Sequence, residues 1–200
     1  EITGNLRLPA STGSVGVIKS GSNRFIHNFG TNNFFAGVNA GNLTMTGGNN
    51  TGVGVSALAS NTTGNANTAN GYVALYSNTA GDANTANGNE ALLSNTTGNN
   101  NTANGLSALY SNTTGDQNTA NGVSALQFNT TGDSNTALGY QAGFNNSTGV
   151  GNVFLGYRAG YGETGSNKLY IANSSVTPPL IYGDFSTVNV GIGTTSAEMK

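Results

Sequence analysis

Small and apolar residues recur along this chain with a period of 17 residues. An Ala holds the same place in eight successive units, three residues after an equally regular Gly, and a Leu follows the Ala in five of them. The Ala positions are Ala40, Ala57, Ala74, Ala91, Ala108, Ala125, Ala142 and Ala159. A fixed period indicates one structural unit stacked many times. We therefore expect eight consecutive coils within residues 30–165.

Each unit is too short for a pair of helices, and its two Gly oppose helix formation. The unit instead favours two short strands, at 67–71 and 72–77 in one coil, followed by a turn at 78–83. Each such turn contains one Gly, at Gly64, Gly81, Gly98, Gly115 or Gly132. Coils of this kind stack roughly 4.8 Å apart. The predicted fold is all-β, a parallel β-solenoid of eight 17-residue coils.

Alternation along the second predicted strand assigns its side chains to two faces. Tyr72, Ala74 and Tyr76 fall on one face, which we expect to be packed. Leu75 falls on the opposite face, and one thin coil cannot bury both. The predicted packing column is Ala74, Ala91, Ala108 and Ala125. The predicted face for a partner chain is Leu75, Leu92, Leu109 and Leu126.

One position of the first predicted strand changes character along the chain. It is aliphatic in the outer coils, at Val53, Leu138 and Leu155. In the middle coils it is Asn70, Asn87, Asn104 and Asn121. A column of Asn predicts a ladder in which each amide bonds to the coils above and below. The alternative is a polar lining of an oligomer axis that holds water or an anion.

The two ends lie outside the repeat. Residues 1–29 are expected to form an N-terminal β cap, with strands within 2–8 and 15–29. Residues 166–200 are expected to hold short strands at 169–172, 180–182 and 188–192. Residues 196–200 are expected to begin a helix, leading toward a stalk or assembly element that this chain lacks.

Two strings carry a family resemblance, NTALGYQAG at 135–143 and NVFLGYRAG at 152–160. They resemble the head repeats of trimeric autotransporter adhesins of the YadA type. The stretch 167–195, with NKLYIANSS and VGIGTTS, is similar to the region after such repeats in bacterial and phage tail-fibre-domain proteins. The resemblance implies a left-handed β-roll, a homotrimer, and a place on a bacterial cell surface or phage fibre. The familiar head repeat is shorter and has an aliphatic residue where this chain has its Asn column.

Composition removes several classes of function. Charged residues make up 7% of the chain and the net charge is −2, so no basic stripe for nucleic acid exists. The chain has no Cys, and its one histidine is His27, so neither a metal site nor a catalytic triad is expected. Asp82, Asp116 and Asp133 share one turn position, but calcium requires more oxygen ligands than they supply. We expect no cofactor, no enzymatic activity and no insertion into a membrane.

These features favour a rigid extracellular module of an adhesin or fibre, whose turns contact a host surface, glycan or matrix ligand. The alternative is a self-assembling subunit of an extracellular filament. A second alternative is an ice-binding β-solenoid, suggested by Thr columns that include Thr68 and Thr79. Against it, the Thr-x-Thr pairing is missing, and hydroxyls in turns commonly bond nearby backbone instead.

Overall fold

The computed structural model describes residues 18–20 and 23–195, in which thirteen strands form one sheet in chain order. The strands are β1 (Ile18–Ser20), β2 (Asn23–His27), β3 (Phe34–Ala36), β4 (Thr51–Val53), β5 (Thr68–Asn70), β6 (Thr85–Asn87), β7 (Thr102–Asn104), β8 (Thr119–Asn121), β9 (Thr136–Leu138), β10 (Val153–Leu155), β11 (Lys168–Ile171), β12 (Ile181–Asp184) and β13 (Asn189–Ile192). No helix occurs in these residues. The strand predicted at 2–8 and the helix predicted at 196–200 lie outside them.

Strands β3 to β11 run parallel, each paired with its neighbours in sequence. From β3 to β10 each pairing joins residues 17 apart, as between Thr85 and Thr102. The step from β10 to β11 is 16, because Val153 pairs with Leu169. The predicted all-β parallel β-solenoid of about eight turns is therefore confirmed.

The second predicted strand is wrong, because residues 72–77 form a series of turns. Val73 and Leu75 both have φ of 50°, in the left-handed region. The Val73 N–H donates to the Val55 carbonyl of the preceding coil, whereas the Leu75 N–H donates to the Ala91 carbonyl of the following coil. The segment therefore bonds to both neighbouring coils without forming a strand, and strand alternation does not apply to it.

The left-handed residue at the Leu position changes which side chains are buried. Ala74 and its column are fully buried, as predicted. The Leu column is also fully buried, so its assignment as a face for a partner chain is wrong; the residues are Leu75, Leu92, Leu109 and Leu126. Tyr72 and Tyr76, predicted to pack, are 56% and 42% exposed. The conformation at Leu75 turns its side chain inward beside Ala74, where an extended strand would have turned it outward.

The first and last coils fill the interior with a different pair of residues. Where the middle coils have Ala on the strand and Leu six residues later, the outer coils have Phe35 with Gly41 and Phe154 with Gly160. A Cβ added at Gly41 would lie 2.5 Å from the Phe35 ring, and one at Gly160 would clash with Phe154. Each Phe thus occupies volume that Leu side chains fill elsewhere, and the Phe154 ring also fills the space at Gly143, the Leu position of the preceding coil. All three glycines also have the positive φ of the Leu column.

Antiparallel strands cover the N-terminal end. Strand β1 pairs with β2, and β2 pairs with β3, where His27 lies opposite Phe35. His27 is 3% exposed, and its Nε2 lies 2.7 Å from the Ala40 carbonyl oxygen. Burial lowers the pKa of His27, partly opposed by the bond to Ala40. The single histidine is therefore part of the packed end of the solenoid.

The C-terminal end holds three short strands, β11, β12 and β13, close to the positions predicted from the sequence. β12 is antiparallel to both of its neighbours. The Lys168 ammonium donates to the Asp184 carboxylate at 2.6 Å, and this bond lowers the pKa of Asp184 to about 2. A charged pair thus lies at the end of a solenoid whose coils carry few charges.

The exchange between Ala–Leu and Phe–Gly pairs predicts that two substitutions in one coil have effects on stability that are not additive. Ala103→Phe overpacks a middle coil and should lower the free energy of unfolding by about 1–3 kcal/mol. Adding Leu109→Gly, six residues later, frees volume for the ring. It also removes the backbone strain of roughly 1 kcal/mol that Leu109 has at its positive φ. In urea unfolding, the double variant should therefore lose less free energy of unfolding than the losses of the two single variants added together. Simple additivity would contradict this account of the interior.

Candidate functional site

A column of buried Asn side chains joins each coil to the next. Asn101 represents it: its Oδ1 accepts the Asn118 N–H at 2.9 Å, and its Nδ2 donates to the Gly115 carbonyl at 2.7 Å. All members are at most 4% exposed; they are Asn33, Asn50, Asn67, Asn84, Asn101, Asn118, Asn135 and Asn152. We call this set the first interior column. It gives hydrogen-bond partners to backbone groups that lie outside the strands.

A second interior column lies beside the first. Asn95 Nδ2 donates both to Asn78 Oδ1, at 2.8 Å, and to the Gly98 carbonyl, at 3.0 Å. Its fully buried members are Asn61, Asn78, Asn95, Asn112, Asn129 and Asn146. The ladder changes after Asn129, because Asn146 donates to the Gly165 carbonyl instead of to Asn129. The change coincides with the shorter last coil.

The turn glycines are explained by these amides. Gly98 has no positive φ, so its backbone does not require glycine for conformational reasons. A Cβ there would lie 2.5 Å from both Asn95 Oδ1 and the Gly115 carbonyl oxygen. The same crowding recurs at the other predicted positions, Gly64, Gly81, Gly115 and Gly132. Glycine is needed because the coils and the interior amides approach too closely for any side chain.

The predicted Asn ladder exists, on the outside of the solenoid. Asn70 Nδ2 donates to Asn87 Oδ1 at 3.0 Å, Asn87 to Asn104 at 2.8 Å, and Asn104 to Asn121 at 2.6 Å. Asn70 is exposed and the other three are partly exposed. The sequence therefore predicts the ladder correctly, but its members are not buried within their own chain.

The Asn ladder shares the outer side of the sheet with a row of threonines. The row consists of Thr51, Thr68, Thr85, Thr102, Thr119 and Thr136, each two residues before the ladder position. The residue between them, such as Ala103, points into the core and is fully buried. We define the strand face as the outward side chains of β4 to β9. It carries no charged residue, and its ladder position becomes Val53 at one end and Leu138 at the other.

Two Thr columns behave differently. In the turns, the Thr96 hydroxyl donates to the Thr113 carbonyl of the next coil at 3.0 Å, and its neighbours repeat this bond. On the strand face, none of the six Thr hydroxyls bonds to another group within residues 18–20 and 23–195. The turn hydroxyls are thus structural, whereas the hydroxyls of the strand face are available to a ligand.

The turn carboxylates also bond between coils. Asp116 Oδ1 accepts the Asn99 N–H at 2.6 Å, and Asp133 Oδ1 accepts the Asp116 N–H at 2.7 Å. Across the described part of the chain, no group of three or more His, Cys, Asp or Glu side chains is placed to hold a metal ion. The carboxylates at the shared Asp position therefore accept backbone N–H groups of the preceding coil.

A cleft of about 180 Å³ lies at the C-terminal end, between Tyr161 and the loop that contains Val176. Its one carboxylate belongs to Glu163, whose Oε1 accepts the Gly165 N–H at 2.7 Å and whose Oε2 accepts the Tyr170 hydroxyl at 2.6 Å. Burial and this bond raise the pKa of Tyr170. Both carboxylate oxygens are engaged within the fold, so the cleft offers no free acid or base from Glu163.

No family model, curated protein or solved structure matches this chain. None of the described residues belongs to a helix that could cross a lipid bilayer.

The interior and exterior Asn columns should respond differently to truncation. Asn101→Ala leaves the Asn118 N–H buried without a partner, which costs about 1–3 kcal/mol. It also removes one of the two amide bonds to the Gly115 carbonyl, which keeps its bond from Asn112. Asn104→Ala, three residues away on the same coil, removes only amide bonds that water can replace. Urea unfolding should show a clear loss of stability for Asn101→Ala and a change below about 1 kcal/mol for Asn104→Ala. Equal effects would contradict the division into interior and exterior columns.

Proposed function

We propose that this chain is a rigid extracellular rod that presents surface residues for adhesion, and that its role is structural and not enzymatic. The observation that carries this proposal is the contrast between its fixed interior and its variable surface. Each coil is joined to the next by strand pairing and by two columns of buried amides. Such coils hold surface side chains at constant spacing while the residues themselves change.

One outward column illustrates the variation. Immediately after the closing Gly of each unit stand Val38, Val55, Tyr72, Asn89, Leu106, Val123, Tyr140 and Tyr157. Tyr140 and Tyr157 are 44% and 50% exposed, and their rings stack 5.3 Å apart. Exposed aromatic and aliphatic side chains are typical of surfaces that contact proteins or glycans. These residues are the contact surface that we assign to adhesion.

Assembly as a homotrimer of left-handed β-rolls belongs to the same proposal. Large apolar side chains are strongly exposed near the C-terminal end: Leu180 at 65%, Val190 at 62% and Ile192 at 77%. Exposed apolar patches of this kind favour protein contacts. A second and third copy of the chain would cover them and leave the coils free for contact with other surfaces.

A filament is the second candidate, and one observation favours it. Strands β1 and β13 are the outermost strands of the sheet, and within the described residues each pairs on one side only. An unpaired strand edge can add a strand from another chain. Head-to-tail addition of β1 to β13 would produce an open-ended fibre.

Mass measurement and electron microscopy test the assembly. We expect a discrete trimer that Ile192→Asp dissociates into folded monomers, because a charge would be buried in the contact. Thr187→Asp, in the exposed β12–β13 turn, is the matched control and should leave the trimer intact. Filaments in the micrographs would favour the second candidate. A wild-type monomer would contradict both.

Ligand binding tests the adhesive role. The full chain is screened against glycan and matrix-protein arrays, together with the double variant Tyr140→Ser/Tyr157→Ser. We expect binding to at least one ligand class, weakened on the order of tenfold or more by the double variant. Thr97→Ser and Thr114→Ser, in the turns, serve as controls. No binding across the arrays would contradict adhesion.

A further inference from the structure

The strand face is regular in two directions. Thr and Asn lie two residues apart on one strand, which separates them by roughly 6.7 Å. Equivalent residues on neighbouring coils are roughly 4.8 Å apart. The pairing is in register throughout, so that Thr102 lies beside Thr119 and Asn104 beside Asn121. The result is a regular array of two rows, with six Thr in one row and four Asn in the other.

The array has unused hydrogen-bonding capacity. The hydroxyls of its Thr row have no partner within the described residues, and each can donate one bond and accept others. Asn87 accepts one bond from Asn70 and donates one to Asn104. An amide has two N–H donors and an oxygen with two lone pairs, so one donor and one acceptor position remain on Asn87. The face therefore offers both donors and acceptors, without charge.

The array is also held in place before any ligand arrives. Thr is β-branched and has few side-chain conformations on a strand. The Asn amides fix one another through their ladder, and the Ala residues beneath them are fully buried. Groups that are already ordered lose little conformational entropy on binding. A weak bond at each position can then add up over many coils.

We propose that the strand face binds ice, with Asn in place of the second Thr of a Thr-x-Thr pair, so that the Thr and Asn rows together match a lattice of ordered water. The ligand of a periodic array must itself be periodic, and a lattice of water molecules supplies donors and acceptors in both directions. Charged groups would order water around themselves and disturb such a lattice, and the strand face has none. This function does not depend on the adhesive role or the oligomeric state proposed above.

Other occupants fit the strand face less well. Sites for small organic ligands are lined mainly by apolar and aromatic side chains, and β4 to β9 display no aromatic residue on this face. The outward side chains of these strands are Thr, Asn, Val and Leu, which are too short to enclose a small molecule. A second copy of the chain would find apolar side chains only near the ends of the face, at Val53 and Leu138.

The test measures ice recrystallisation in frozen sucrose and adsorption of the fluorescently labelled chain to a growing ice crystal, at micromolar protein. We expect inhibition and adsorption by the wild type. Thr102→Tyr places a ring at the centre of the face and should raise the concentration needed by on the order of tenfold. Thr97→Tyr, in the exposed turn of the same coil, is the matched control and should behave as wild type.

Three results would overturn the proposal. The first is a folded wild type that neither inhibits recrystallisation nor adsorbs to ice. The second is equal loss in Thr102→Tyr and Thr97→Tyr, which would remove the strand face from the effect. The third is an oligomer that Thr102→Tyr dissociates, or binding to crystalline cellulose or chitin that this variant abolishes. Dissociation of an oligomer would assign the face to a second copy of the chain, and loss of cellulose or chitin binding would assign it to a polysaccharide.

Discussion

Hydrogen bonds from buried Asn side chains to the backbone of the next coil are the interactions on which this solenoid depends. Only three residues of each coil form a strand, and backbone bonds outside it, such as that from the Val73 N–H to the Val55 carbonyl, join only some of the remaining groups. Asn side chains bond to others: Asn101 accepts the Asn118 N–H and donates to the Gly115 carbonyl, which also accepts a bond from Asn112. An amide provides donor and acceptor on a short side chain, which suits a narrow interior. Buried backbone groups without partners would otherwise destabilise every coil.

Several other features follow from this arrangement. The amides bring neighbouring turns so close that Gly98 and its equivalents cannot carry a side chain. The interior that remains is small, so it is filled by Ala and Leu in the middle coils and by Phe with Gly at Phe35 and Phe154. With the interior filled in this way, the outward positions can change without altering the spacing of the coils. The constant spacing of the coils therefore also fixes the spacing of the side chains on the strand face and of the exposed Tyr residues.

The repeat, its register and the first strand could be predicted from the sequence because they depend on spacing alone. The second strand could not, because alternation assumes extended backbone and Leu75 is left-handed. A signal was present: the Leu position is Gly in three coils, at Gly41, Gly143 and Gly160, and glycine is the residue that favours positive φ. For the site, the change from aliphatic residues to Asn at the Asn70 position predicts the outer ladder. The constant Asn67 and Asn78 positions, which form the interior columns, were the stronger sign of buried amides.

Amide hydrogen exchange of the Asn side chains, followed residue by residue by NMR, tests the central claim most directly. If the interior amides join the coils, the Nδ2 protons of Asn84, Asn101 and Asn95 exchange only when the solenoid opens, while those of Asn104 exchange much faster. Protection is then expected to fall in parallel across both interior columns as denaturant is added. Interior amides that exchange as fast as the Asn104 amide would contradict the account.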